Sequence, residues 1–189
     1  MGSLAEVYLA TAPDGRPYVV KRLREDMRND AARALMLIEE GELLMRLVHA
    51  GLVHCEAVSR EPPAQVLTHV DGVPLHAALT MMGEQGQRFE PARAVDLVRM
   101  LATTLAYLHA QQVCHLDIGP DNVLVARDGR VVLTDLARGQ WPGRRTRIDY
   151  EPIPHKLGYC APELWKGEPL SAATDIYQLG CLLWELLAG

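Results

Sequence analysis

Cysteine is sparse: Cys55, Cys114, Cys160 and Cys181 are scattered through 189 residues. No two form a C-x-x-C pair, which argues against structural zinc. Cys114 and Cys181 lie in apolar stretches and read as buried thiols rather than disulfide partners. This usage fits a reducing cytoplasm. Basic residues are short too. Nineteen Lys and Arg against 24 Asp and Glu give a net charge of −5, the wrong sign for a general nucleic-acid binder. No apolar run reaches membrane-spanning length, and "LGCLLWELLAG" is both short and interrupted. The opening "MGSLAEVYLA" lacks the basic start and apolar run of a signal peptide, and Glu6 spoils the myristoylation pattern begun by Met1-Gly2. Repeats and low-complexity tracts are absent. What is present suits a packed core: 49% hydrophobic and 23% charged residues, in a chain long enough for one large domain or two small lobes.

"EVYLATAPDGRPYVVKRL" reads as a hairpin turning at Pro13-Asp14-Gly15. Asn29-Asp30 caps a helix over roughly residues 31–48, with Leu35, Ile38, Leu43, Leu44 and Leu47 on its inner face. "LVHCEAVS" and "AQVLTHV" read as strands, and "DGVPL" as a linker entering a short helix. Pro91 opens a long helix carrying Val98, Leu101, Leu105 and Leu108. "NVLVARDGRVVLTD" is a hairpin with Asp128-Gly129 at its tip. The stretch 138–158 lacks periodicity, and its "GRRTR", with Thr146 as a possible phosphosite, reads as a solvated basic loop. A last helix follows Ser171 with Ile176, Leu179, Leu183 and Leu186 along one side, and Trp165 and Trp184 are expected in the core. Strands dominate the first seventy residues and helices most of the rest, an α+β pattern.

Five polar residues punctuate these elements. Lys21 ends "YVVK", Glu40 lies on the next helix, Asp117 and Asn122 stand in "HLDIGPDNVLV", and Asp135 follows "VVLT". Singly each has a plain reading: a solvated lysine, loop-forming Asx residues, a turn cap. Glu39 and Glu42 compete with Glu40. Together with "GSLAEV", "APE" and "DIYQLG", in this order, the segments resemble the protein kinase catalytic domain. The nine-residue interval from Glu40 to His49 resembles the family's spacing and favours Glu40.

The resemblance implies a bilobal α+β fold, with an N-lobe over 1–70 and a C-lobe over 71–189. It implies ATP and Mg²⁺ as cofactors and transfer to a Ser or Thr hydroxyl of a protein substrate, with no nucleic-acid partner. Lys21 would hold the α- and β-phosphates and Glu40 would hold Lys21. Asp135 and Asn122 would bind Mg²⁺, and Asp117 would act as base. Gly2, Ser3, Val7 and Leu124 join the nucleotide-contacting set. Leu67 would be the gatekeeper, with Thr68, His69 and Val70 as the hinge beside adenine. His115 and Asp175 look architectural, and His109 reads as a packed, hydrogen-bonded residue.

The pattern is also broken in places. Ala5 stands at the third glycine of the phosphate loop, and the first glycine and strand are expected upstream of Met1. Leu116 replaces the arginine that reads an activation-segment phosphate, and Asp135-Leu136-Ala137 replaces DFG. Gly119 replaces a lysine that neutralises the moving phosphoryl group; Lys156, in "HKLGYCAPE", is the residue expected to supply that charge instead. Glu163 of "APE" lacks its usual arginine before Gly189. A fragment of a longer kinase is therefore expected. The rival readings are a nucleotide-binding scaffold with little turnover and a small-molecule kinase of related fold.

Overall fold

The computed structural model describes residues 5–148, 150 and 154–188, with backbone alone for 154–156. Strands β1 (Ala5–Thr11) and β2 (Pro17–Leu23) form the expected hairpin, with Gly15 at φ +85° in its turn. With β3 (Cys55–Arg60) and β4 (Pro63–Thr68) they make an antiparallel sheet of order β1-β2-β4-β3. Helix α1 (Ala31–Leu44) starts where its cap demands: the Asp30 carboxylate accepts the Ala32 and Arg33 amides at 3.0 and 3.1 Å. It ends four residues earlier than the apolar spacing suggests. A turn follows, in which the Arg46 amide bonds the Leu43 carbonyl, and Leu47 is still buried. Leu37, rather than Leu35, completes the buried face.

The register of this sheet positions the first half of the site. Val7 pairs with Lys21, and Lys21 with Gln65, so the three share one face in a row. Helix α1 lies across the far end of that row at Gly41. A Cβ there would stand 2.6 Å from Val58 Cγ2 and 3.0 Å from Gln65 Cγ. Only glycine lets the helix come so close, and its neighbour Glu40 is thereby carried to Lys21.

The second half is mainly helical: α2 (Leu75–Glu84), α3 (Pro91–Ala110), the short α4 (Pro162–Lys166) and α5 (Ala172–Ala188). A small sheet of order β5-β6-β7 joins β5 (Gly72–Pro74), β6 (Val123–Ala126) and β7 (Val131–Leu133). The "DGVPL" linker is thus an edge strand, a position that suits Pro74 with its missing N–H. One apolar core runs from Leu43 and Leu44 of α1 through Leu101, Leu105 and Leu108 of α3 to Leu182 and Leu186 of α5.

Three expectations about burial are corrected. The inner stripe of α5 is Asp175, Gln178, Leu179, Leu182 and Leu186, while Ile176 is 53% exposed. Two polar residues occupy that stripe, so hydropathy alone sets its phase wrongly. Trp165 and Trp184 are 59% and 71% exposed rather than in the core. Cys114 and Cys181 are only half-buried, whereas Cys55 and Cys160 are buried; all four are free. The fold is α+β, as the order of strands and helices suggests, and bilobal, as the family resemblance implies.

Candidate active site

Lys21 is 9% exposed and is held by two carboxylates. Its Nζ donates to Glu40 Oε1 and Oε2 at 3.0 and 2.9 Å and to Asp135 Oδ1 at 3.0 Å. Burial alone would lower the Lys21 pKa, but the charges of Asp135 and Glu40 outweigh it and raise the pKa. Burial likewise opposes ionisation of Asp135, yet Lys21 and the Ala137 amide hold its carboxyl down at about 2. Glu40 is pushed up by burial and by the Asp135 charge, with Lys21 pulling the other way. Gln65 steadies it, donating to Glu40 Oε2 at 2.9 Å and to the Leu37 carbonyl at 2.6 Å. The Leu136 amide adds a bond to Glu40 Oε1 at 3.0 Å. The competition among three glutamates is resolved: Glu42 pairs with Arg60, and Glu39 turns to Arg145 and Thr146.

Asp117 and Asn122 form the second cluster. Asn122 Nδ2 donates to the Asp117 carbonyl at 2.7 Å and to its Oδ2 at 2.8 Å. The tight approach follows from a 3-10 turn over Pro120–Asn122. The two clusters meet at Thr134, the residue before Asp135, whose amide bonds the Asn122 carbonyl at 2.9 Å. His115 braces the loop: Asp117's amide donates to Nδ1 at 3.3 Å, which leaves Nε2–H to donate to the Thr134 carbonyl at 2.9 Å.

The loop is mounted on α5. Asp175, fully buried, accepts the His115 and Leu116 amides at 2.9 and 2.6 Å and faces His109 Nε2 at 2.7 Å. Gln178 accepts the Ile118 amide at 2.9 Å. These bonds hold Leu116 at φ +62°, a strained conformation for a bulky residue. Asp175→Ala orphans two buried amides, at about 1–3 kcal/mol each. We expect a loss of about 2–6 kcal/mol in urea unfolding.

Of the remaining site residues read from sequence, Leu67 lies two positions along β4 from Gln65 and shares the Lys21 face. Thr68, His69 and Val70 run from β4 toward β5, and Leu124 sits on β6. Val7, in register with Lys21 on the same face, is itself exposed. Gly2 and Ser3 lie outside the described residues. Lys156 falls in a 3-10 turn over Pro154–Tyr159, and its side chain also lies outside them. Three partners went unread in the sequence: Gln65, Glu39 and Arg144. Gln65 had a signal, a polar residue in register with inward-facing Leu67.

The profile of the protein kinase domain matches residues 1–189. The chain belongs to the protein kinase domain family. It is 34% identical over 198 residues to the serine/threonine-protein kinase PkaB of Streptomyces coelicolor, covering 100% of this chain and 46% of that protein. PkaA of the same organism is 34% identical over 193 residues, covering 98% and 34%. PrkC of Bacillus subtilis is 28% identical over 191 residues, covering 100% and 29%. The chain thus spans less than half the length of these relatives. In this kinase domain Leu136 fills a fully buried position and Asp135 sits at φ +65°. Gly143, Arg145 and Arg147 of "GRRTR" are exposed, as the composition suggests, but Arg144 and Thr146 are half-buried. Arg144 donates to the Ala137 carbonyl at 2.8 Å and to the Gly139 carbonyl, and lies 4.3 Å from the Trp141 ring.

Proposed function

We propose that this kinase domain transfers the γ-phosphoryl group of ATP to a Ser or Thr hydroxyl of a protein. The observation carrying this reading is Lys21, clasped by Glu40 and Asp135 beside the Asp117–Asn122 loop. Lys21 binds the α- and β-phosphates, and Glu40 keeps it aimed. Leu67, Thr68, His69, Val70, Val7 and Leu124 bound the adenine. Asp117 orients the acceptor hydroxyl and takes its proton. The lobe boundary lies between Val70 and Asp71, where the chain passes from the first sheet toward the second.

Asp135 and Asn122 fit a magnesium ion, which supplies charge neutralisation at the phosphates when bound. Asp135 is ionised and its side chain is 39% exposed to the cleft, and Asn122 has an amide oxygen beyond the nitrogen bound by Asp117. Among the described residues there is no group of three or more His, Cys, Asp or Glu that could hold a metal ion. No helix of the described residues is long and apolar enough to cross a membrane. The four free thiols support a cytoplasmic setting.

Gly119 favours the scaffold as a second reading, because no cation stands there. Its backbone does not require glycine: φ is 177°, and a Cβ would meet only Tyr159 Cε1 at 4.0 Å. Gly119→Lys should therefore fit and raise kcat by about tenfold or more, a contact of this kind being worth about 3 kcal/mol. The deciding experiment incubates the protein with γ-labelled ATP and casein and identifies phosphoserine and phosphothreonine in the hydrolysate. Labelled Ser or Thr, lost in Asp117→Asn, supports the kinase. ATP binding without transfer, in both the natural chain and Gly119→Lys, supports the scaffold.

A further inference from the structure

Gln65 is an unusual residue for its place. It is fully buried on β4, paired across the strands with Lys21 and packed against α1. Its Nε2 donates to the Leu37 carbonyl at 2.6 Å and to Glu40 Oε2 at 2.9 Å. A carbonyl and a carboxylate can only accept, so the amide is fixed with its nitrogen toward α1 and both of its N–H groups engaged. Oε1 is buried and has no partner among the described residues. Stability does not call for this arrangement. The Leu37 carbonyl lies inside α1, where the helix bond from Gly41 serves it, and Glu40 Oε2 also accepts from Lys21. An apolar side chain at 65 would orphan neither group and would remove the oxygen that has no partner.

The reason for a glutamine lies at Lys21. An ammonium has three hydrogens, and those of Lys21 face Glu40 Oε1, Glu40 Oε2 and Asp135 Oδ1 at 3.0, 2.9 and 3.0 Å. A phosphate oxygen can take one of them only if one of these bonds is given up. Each carboxylate oxygen has a second donor ready for that exchange. Glu40 Oε1 has the Leu136 amide at 3.0 Å and Asp135 Oδ1 has the Ala137 amide at 3.2 Å, backbone groups that any residue but proline supplies. Glu40 Oε2 has Gln65, a side chain. We propose that Gln65 is a positioning residue of the phosphate site: it holds Glu40 Oε2 from behind, so that Lys21 can exchange its bond to that oxygen for one to a nucleotide phosphate while Glu40 and α1 stay in place. Without Gln65 the oxygen would be left bare inside a residue that is 1% exposed, and every phosphate taken up by Lys21 would carry that penalty. Gly41 makes the room, since a Cβ there would stand 3.0 Å from Gln65 Cγ.

This exchange rests on the reading of Lys21 as a phosphate ligand, and the test separates the two. Calorimetric titration in the presence of magnesium measures ATP and adenosine binding to the natural chain, Gln65→Met, Glu40→Gln and the double variant. Gln65→Leu runs beside Gln65→Met, so that no result depends on how one side chain packs. Gln65→Met should weaken ATP binding about tenfold, the size of one hydrogen bond to a charged group. Adenosine, which has no phosphate, should change by less than about twofold. In the Glu40→Gln background Gln65→Met should change ATP affinity by less than about twofold as well, because the carboxylate it serves is gone. The urea midpoint of Gln65→Met should equal or exceed that of the natural chain. ATP affinity that Gln65→Met leaves unchanged, in a natural chain that binds ATP more tightly than adenosine, overturns the proposal and leaves the nucleotide-site reading standing. An equal loss with and without the Glu40 carboxylate, or a joint fall in adenosine affinity and urea midpoint, shows a packing residue and also overturns it. If the natural chain holds ATP no more tightly than adenosine, Lys21 grips no phosphate and both readings fall.

Discussion

Asp117→Asn should lower turnover by about 10²–10⁴-fold, the range for removing a positioned general base, and should leave ATP affinity within about threefold. The substitution is close to isosteric. It keeps an oxygen to accept from Asn122 Nδ2, which now reaches Asp117 Oδ2 at 2.8 Å, and it leaves the backbone carbonyl bond at 2.7 Å untouched. The loop is fixed independently by Asp175 and Gln178, so its shape does not depend on the charge at 117. What disappears, on the proposed function, is the basicity that would accept the hydroxyl proton. Single-turnover transfer read beside fluorescent-nucleotide displacement separates the two quantities. Equal losses in both would show a loop that collapses; transfer within threefold of the natural chain would remove Asp117 from the chemistry.

Much of this arrangement was legible from the residues because it is local. The caps, turns and apolar spacings that place β1, β2, α3 and the β6–β7 hairpin are written within short windows. Lys21, Asp117, Asn122 and Asp135 stand at strand ends and in a loop, where their types are unusual in combination. Choosing Glu40 over Glu39 and Glu42 needed a spacing, because helix phase near a close contact cannot be read from hydropathy. The contact itself, at Gly41 against Val58 and Gln65, depends on two strands distant in sequence. The Glu39–Thr146 hydrogen bond was illegible for the same reason: the two residues are 107 apart in sequence, and "GRRTR" has the composition of an exposed loop. The phase of α5 failed because Asp175 and Gln178 face inward to hold backbone amides of the catalytic loop. Polar residues that serve a buried loop invert the pattern that normally marks a surface.

Lys21→Met should cut turnover by about 10²–10³-fold, the usual cost of losing one charge-stabilising donor, and should also reverse how stability responds to pH. In the natural chain Asp135 titrates at about 2, below its ordinary 3.8. Its contribution is therefore present above the unfolded value and is lost as pH falls from about 4 toward 2. Without Lys21, Glu40 and Asp135 face each other with no cation between them. Glu40 is 1% exposed and its carboxyl is already pushed upward, so the variant folds by taking up a proton there. A raised folded pKa stabilises below the unfolded value of 4.5 and loses that stability as pH rises through the folded one. Urea midpoints measured from pH 4 to pH 8 should thus fall for Lys21→Met relative to the natural chain, and adding Glu40→Gln should flatten the decline. The lost stability near neutral pH should be about 3–5 kcal/mol, the usual cost of an uncompensated buried charge. A midpoint difference that does not change with pH, together with turnover near that of the natural chain, would mean that Lys21 is not the cation holding these carboxylates together.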